Sequence, residues 1–134
     1  VIWAERNVKQ FLVAEGHCYS EVLFCGGILD ILYLDLDGNL VLADIKSSPV
    51  PYYAHALQLG AYDLQLSENG CFSSAGKKIY ELPQEIKYHA VFCVGAGLDK
   101  PFFNHNTKAA KIGFSFALNL YKNQLFFRGF VQRI

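Results

Sequence analysis

The chain has no methionine, and its four cysteines, Cys18, Cys25, Cys71 and Cys93, form no C-x-x-C pair. The first absence is compatible with a trimmed or internal piece of something longer. The second argues against a zinc site or disulfide framework and for reduced, packed thiols in an intracellular compartment. His17, His55, His89 and His105 are scattered without metal-ligand spacing. No apolar run approaches the roughly 18 residues of a membrane span, and the N-terminus lacks a basic region with a cleavage site, so no membrane association is expected. Net charge is missing too, because twelve basic and twelve acidic residues cancel. Binding that rests on blanket phosphate neutralisation is thereby disfavoured, and only a local basic patch stays open.

What the chain does have is apolar character: 134 residues, 52% hydrophobic and 18% charged. That suits one domain, residues 1–134, with one core, and not a disordered segment. Trp3, Val8, Phe11 and Leu12 recur near helical spacing and predict a helix over 1–15, with Gly16 as its stop. From Glu21 to Lys46 two apolar runs flank Asp37-Gly38-Asn39, a hairpin signal. Good helix formers predict a second helix over 52–66. A polar Gly/Ser loop is expected over 67–78, a short strand near 79–83, a stronger strand over Ile86–Ala96, turns to 107 and a closing helix over 108–123. The expected fold class is α/β (α+β): a small mixed β-sheet flanked by helices.

Three ionisable residues break the apolar hairpin, namely Asp30, Asp44 and Lys46. An unpaired ion in a buried sheet costs several kcal/mol, so these groups need a reason to be there. With Asp37, Gly38 and Asn39 as a three-residue loop, Leu36 would pair with Leu40, Leu32 with Asp44 and Asp30 with Lys46, all ions on one face. Two carboxylates so placed repel unless a cation lies between them, and hard carboxylate oxygens suit Mg²⁺ or Mn²⁺. A buried ion pair that only fixes register is the competing explanation.

The ordered set Gly27-Ile28-Leu29-Asp30, then Asp44-Ile45-Lys46, then Gln58-Leu59-Gly60-Ala61-Tyr62 resembles the PD-(D/E)XK nuclease superfamily. Its RecB-like exonuclease branch is the nearest likeness, similar to mitochondrial genome maintenance exonucleases and phage or bacterial single-domain nucleases. Glu21 resembles an acidic residue that often precedes the first strand motif there. The likeness covers roughly residues 21–97 and implies a restriction-endonuclease-like core. Members that hold an iron–sulfur cluster use clustered C-terminal cysteines, whereas no cysteine follows Cys93. His17 falls in a predicted turn and is given no ligand role.

The resemblance implies a DNA nuclease in which Asp30, Asp44 and the Ile45 carbonyl hold Mg²⁺ or Mn²⁺, with Glu21 as a further metal candidate. Lys46 would stand beside the attacking water, and Gln58 and Tyr62 would border the site. Nucleic-acid candidates are Ser47 and Ser48 at the lip of the strand, Lys77 and Lys78 in the Gly/Ser loop, and Lys108 and Lys111 on the last helix. Phe102, Phe103, Phe126 and Phe127 could stack on bases, although core or partner packing is the better reading. The implied function is hydrolysis of DNA at ends or single strands in repair, recombination or replication. A catalytically inactive nucleic-acid-binding or assembly module of the same fold is the alternative.

Overall fold

The computed structural model describes residues 2–94 and 101–124. Helix α1 (Ile2–Asn7) is followed by strands β1 (Val8–Ser20), β2 (Cys25–Asp35) and β3 (Leu40–Lys46). Then come helix α2 (Tyr53–Asn69), short strands β4 (Cys71–Phe72) and β5 (Lys78–Tyr80), strand β6 (Ile86–Cys93), strand β7 (Phe102–Asn104) and helix α3 (Thr107–Lys122). The described strands form one mixed sheet in the order β5-β4-β1-β2-β3-β6-β7. Among the described strands only β3 and β6 run parallel, and the chain between them carries α2, as a parallel pair requires a long crossover. A mixed α+β sheet with flanking helices is therefore what the residues form.

The predicted helix over 1–15 is wrong beyond Asn7, and the reason is visible in the pairing. Strand β1 lies antiparallel to β2 with register shifts between Val8 and Gln10 and between Phe11 and Val13. Each bulge adds one residue to its strand, so Val8 and Phe11 fall three apart yet both pack on the face that carries Tyr33. Bulges thus imitate helical spacing. Gly16 does not end a helix; it pairs with Leu29, and a Cβ there would lie 2.1 Å from Cys71 Sγ. The segment 67–78 is likewise not all loop. Helix α2 runs on to Asn69, and Phe72 of β4 pairs with His17. Between β4 and β5, Ser73 N–H donates to the Lys77 carbonyl at 2.8 Å, with Gly76 at φ 83°.

The hairpin loop lies one residue earlier than expected, which shifts the register of the strands by two. Asp35 N–H donates to the Asn39 carbonyl at 3.0 Å, and Leu34 pairs with Leu40. The three-residue loop is therefore Leu36-Asp37-Gly38. Asp35 organises it, because its Oδ1 accepts the N–H groups of both Asp37 and Asn39 at 2.9 Å, and Gly38 supplies the left-handed residue at φ 81°. A shift of two residues leaves every side chain on its face. It changes only which side chains are opposite.

Helix α2 covers one face of the sheet, burying Leu29, Leu32, Leu40, Leu42 and Val91 beneath Leu59, Tyr62 and Leu66. On the other face Tyr33, Val41, Ala43 and Ala90 lie under α1 through Trp3, whose ring meets Phe92 edge-on at 5.3 Å. Helix α3 packs on α2 where Gly60 has no side chain, since a Cβ there would come 2.3 Å from the Ala110 carbonyl oxygen. Among the described residues no helix is long and apolar enough to cross a membrane.

Candidate active site

Pairing between β2 and β3 stops at Ile31 and Ala43. The same register, continued, sets Asp30 opposite Asp44. Beyond the last rung the Ile45 N–H donates to Asp30 Oδ2 at 2.9 Å, so the carboxylate takes the place of a ladder acceptor. Asp44 is 3% exposed. Lys46 Nζ lies 2.9 Å from Asp44 Oδ2 and donates to Gln58 Oε1 at 2.8 Å. Gln58 Nε2 in turn donates to Tyr62 Oη at 2.8 Å. Gln58 and Tyr62 are one turn apart on α2 and face the strand ends together. Gly27 leaves room for this, because a Cβ there would sit 2.6 Å from Tyr62 Cε1.

Five candidates from the sequence, Asp30, Asp44, Lys46, Gln58 and Tyr62, are thus one connected polar cluster. The pairing of Asp30 with Lys46 and of Asp44 with Leu32 is corrected to Asp30 beside Asp44. Glu21 does not join them. It lies exposed in the turn between β1 and β2, where its N–H is held by Glu68 Oε2. Among the described residues no three His, Cys, Asp or Glu side chains gather to hold a metal.

Burial, then hydrogen bonding to Asp30, pushes the Asp44 carboxyl up to about 6, with Lys46 opposing. Asp30 moves the other way. Its burial is outweighed by hydrogen bonding to Asp44 and the Ile45 N–H and by the Lys46 charge, which lower its pKa. Burial raises Tyr62 against its hydrogen bond from Gln58, and His55 is lowered by burial and by Lys46. A pair that prefers to share one proton is also a pair that a divalent cation can replace that proton in.

The donor set fits Mg²⁺ or Mn²⁺. Asp44 Oδ2 is buried and faces Lys46 Nζ at 2.9 Å, so a single ammonium offsets two neighbouring carboxylates. Hard cations of this size use one or two carboxylates and complete their shell with water and substrate phosphate. Two carboxylates without imidazole or thiolate do not suit zinc.

The pH dependence of metal-free stability follows from Asp44. A carboxyl raised in the fold binds its proton more tightly there than in the unfolded chain, so its contribution is whole below the unfolded value of 3.8 and lost as pH rises through about 6. The lowered Asp30 works in the opposite sense, its contribution being lost as pH falls below the unfolded range. Melting in EDTA should show a stability loss between about pH 4 and about pH 6 that Asp44→Asn flattens. Identical profiles for the two proteins would contradict the assignment.

The remaining candidates are dispersed. Ser47 is exposed and Ser48 Oγ donates to the Val50 carbonyl at 2.9 Å, both in the bend just after Lys46. Lys77 is exposed at the outer edge of the sheet, and Lys78 meets Glu81 at 3.3 Å. Lys108 is exposed on α3, and Lys111 Nζ lies 3.9 Å from Asp63 Oδ1. The two lysine pairs therefore do not form one groove: β5 is the first strand of the sheet order, while α3 packs near β6. Phe102 and Phe103 are partly exposed on β7, and Phe126 and Phe127 lie outside the described residues.

The sequence reading missed a second polar pair, Asp63 with His89. Both are wholly buried, with His89 Nε2 and Asp63 Oδ2 at 2.7 Å and Ser67 Oγ donating to Asp63 Oδ1 at 3.1 Å. A signal existed, since Asp63 sits four residues from Leu59 and three from Leu66 on the buried stripe of α2. Beside this pair, the first turn of α2 and the β6–β7 pair enclose an aromatic groove of about 470 Å³. The chain matches no protein-family model and no curated protein.

Proposed function

We propose that the protein is a metal-dependent nuclease with a restriction-endonuclease-like core, of RecB-like type, that hydrolyses phosphodiester bonds of DNA at ends or single strands. The observation that carries this reading is the single cluster Asp30, Asp44, Lys46, Gln58 and Tyr62, in which one ammonium stands beside two adjacent carboxylates. A buried ion pair that only fixed register needs one carboxylate for its ammonium, whereas here a second carboxylate, Asp30, adjoins the first. Four free cysteines accord with an intracellular setting.

Asp30 and Asp44 would hold the cation, aided by the Ile45 carbonyl. Bound there, Mg²⁺ or Mn²⁺ supplies a Lewis acid for the phosphate and lowers the pKa of a coordinated water. Lys46 brings a positive charge to the same oxygens and, held by Gln58, would offset the negative charge that develops on phosphate. Tyr62 fixes Gln58, and Gln58 fixes Lys46, so the helix contributes orientation. The Ile45 N–H holds Asp30 in place and leaves its second oxygen for the cation.

End-labelled linear and circular DNA, single- and double-stranded, incubated with Mn²⁺ test this reading. Metal-dependent release of short products from linear strands is the expected result. Intact substrates in every arm would overturn hydrolysis and leave a binding module of the same fold.

A further inference from the structure

Two aromatic grooves flank the sheet, and their chemistry differs. The larger, about 620 Å³ between Trp3, Tyr33, Tyr88 and His105, also carries Asp35 and Asp37, which repel a phosphodiester chain. The smaller, about 470 Å³, is lined by Tyr52, Tyr53, Leu59, Val91, Phe102 and Asn104 and has no acidic residue in its walls. Its floor is also in register with the carboxylates. Val91 is the β6 residue in register with Asp44, and Phe102 is the β7 residue in register with Val91. Neighbouring strands lie about 4.8 Å apart, so Phe102 stands two strands, roughly 10 Å, from Asp44 in the sheet. Leu59 follows Gln58 directly on the helix that roofs both.

The walls suit a flat, apolar ring with a polar edge. Tyr53 is 93% exposed and Phe102 37% exposed, which for residues this large leaves faces open for stacking. Asn104 Oδ1 is occupied by the Asn106 N–H at 3.0 Å. Among the described residues its Nδ2 has no partner, leaving a donor at the rim. Pockets of this size, mainly aromatic with few polar groups, are the usual form of a small-ring site.

We propose that this groove takes an unpaired nucleobase of the strand whose phosphate reaches Asp30 and Asp44, stacked on Tyr53 and Phe102. The inference rests on the nuclease reading above for its placement. Bases in a duplex are already stacked and paired, and cannot enter without being flipped out. Base stacking on an aromatic side chain tolerates any sequence, so the groove selects strandedness and not base identity.

The test is binding without cleavage, measured by anisotropy in low-salt EDTA buffer with labelled oligothymidylate, an abasic strand of equal length and a duplex. Tyr53→Ala, at a position too exposed to matter for folding, should weaken oligothymidylate binding about tenfold and leave the abasic strand unchanged, while Tyr53→Phe keeps wild-type affinity. Unchanged oligothymidylate affinity in Tyr53→Ala, equal loss on both strands, or no binding of oligothymidylate overturns the groove. Cleavage assayed in parallel separates the two readings. Base-dependent binding without cleavage sinks hydrolysis alone, and cleavage without base-dependent binding sinks the groove alone.

Discussion

Lys46→Met should cleave DNA at least two orders of magnitude more slowly than wild type while still binding Mn²⁺. Methionine keeps most of the lysine stem's volume and removes the ammonium. In the wild type that ammonium lies 2.9 Å from Asp44 Oδ2 and is steered by Gln58 at 2.8 Å. An ammonium cannot ligate a cation, so its loss leaves Asp30 and Asp44 free to do so, with one competing charge fewer. The loss falls on the transition state instead, at about 3 kcal/mol, the scale of a general base or an oxyanion donor. Near-normal cleavage by Lys46→Met would remove Lys46 from the chemistry even if the metal bound as expected.

The largest effect on stability is expected away from these residues, at Asp63→Ala. Asp63 is buried against His89 Nε2 at 2.7 Å, accepts from Ser67 and faces Lys111 at 3.9 Å. Truncation strips all three of their partner at once. Each unsatisfied buried group costs about 1–3 kcal/mol, and His89 Nδ1 already has no partner. A total near 3 kcal/mol, or roughly 10 °C in melting temperature, is expected. Asp63→Asn, which keeps the shape and part of the hydrogen bonding, should lose about half as much. A drop under about 1 kcal/mol for Asp63→Ala would mean that water replaces the carboxylate without cost.

The polar cluster was more legible in the sequence than the sheet that carries it. Asp30, Asp44 and Lys46 stood out because ionisable groups interrupt an apolar hairpin. Gln58 and Tyr62 were implied by the resemblance, and their spacing of four puts both on one helix face. The hairpin register was read from Asp37-Gly38-Asn39, but the chain turns on the Asp35 carboxylate instead. The error of two residues preserved the face and altered only which carboxylate is opposite which. Strand β1 was misread because its bulges put Val8 and Phe11 on one face at helical spacing, and a bulge leaves no local mark when its cause is the partner strand. Strand β4 has two residues within a polar stretch, and only its pairing with His17 makes it a strand. Lys77, Lys78, Lys108 and Lys111 could not be located from sequence because a groove depends on tertiary placement, which here sets them far apart in the sheet order. Asp63 and His89 went unnoticed as a pair because 26 residues separate them.

The most direct test of the account is a Mn²⁺ titration of the melting temperature, for wild type and Asp44→Asn, at a pH above the Asp44 pKa of about 6. A cation that binds only the folded protein adds RT ln(1 + [L]/Kd), about 2.7 kcal/mol at a hundredfold excess over Kd. The carboxylate pair therefore predicts a rise in wild-type melting temperature that grows with the logarithm of Mn²⁺ concentration and is absent in Asp44→Asn. A wild-type melting temperature indifferent to millimolar-scale Mn²⁺, or an equal rise in both proteins, would contradict a metal centre at Asp30 and Asp44.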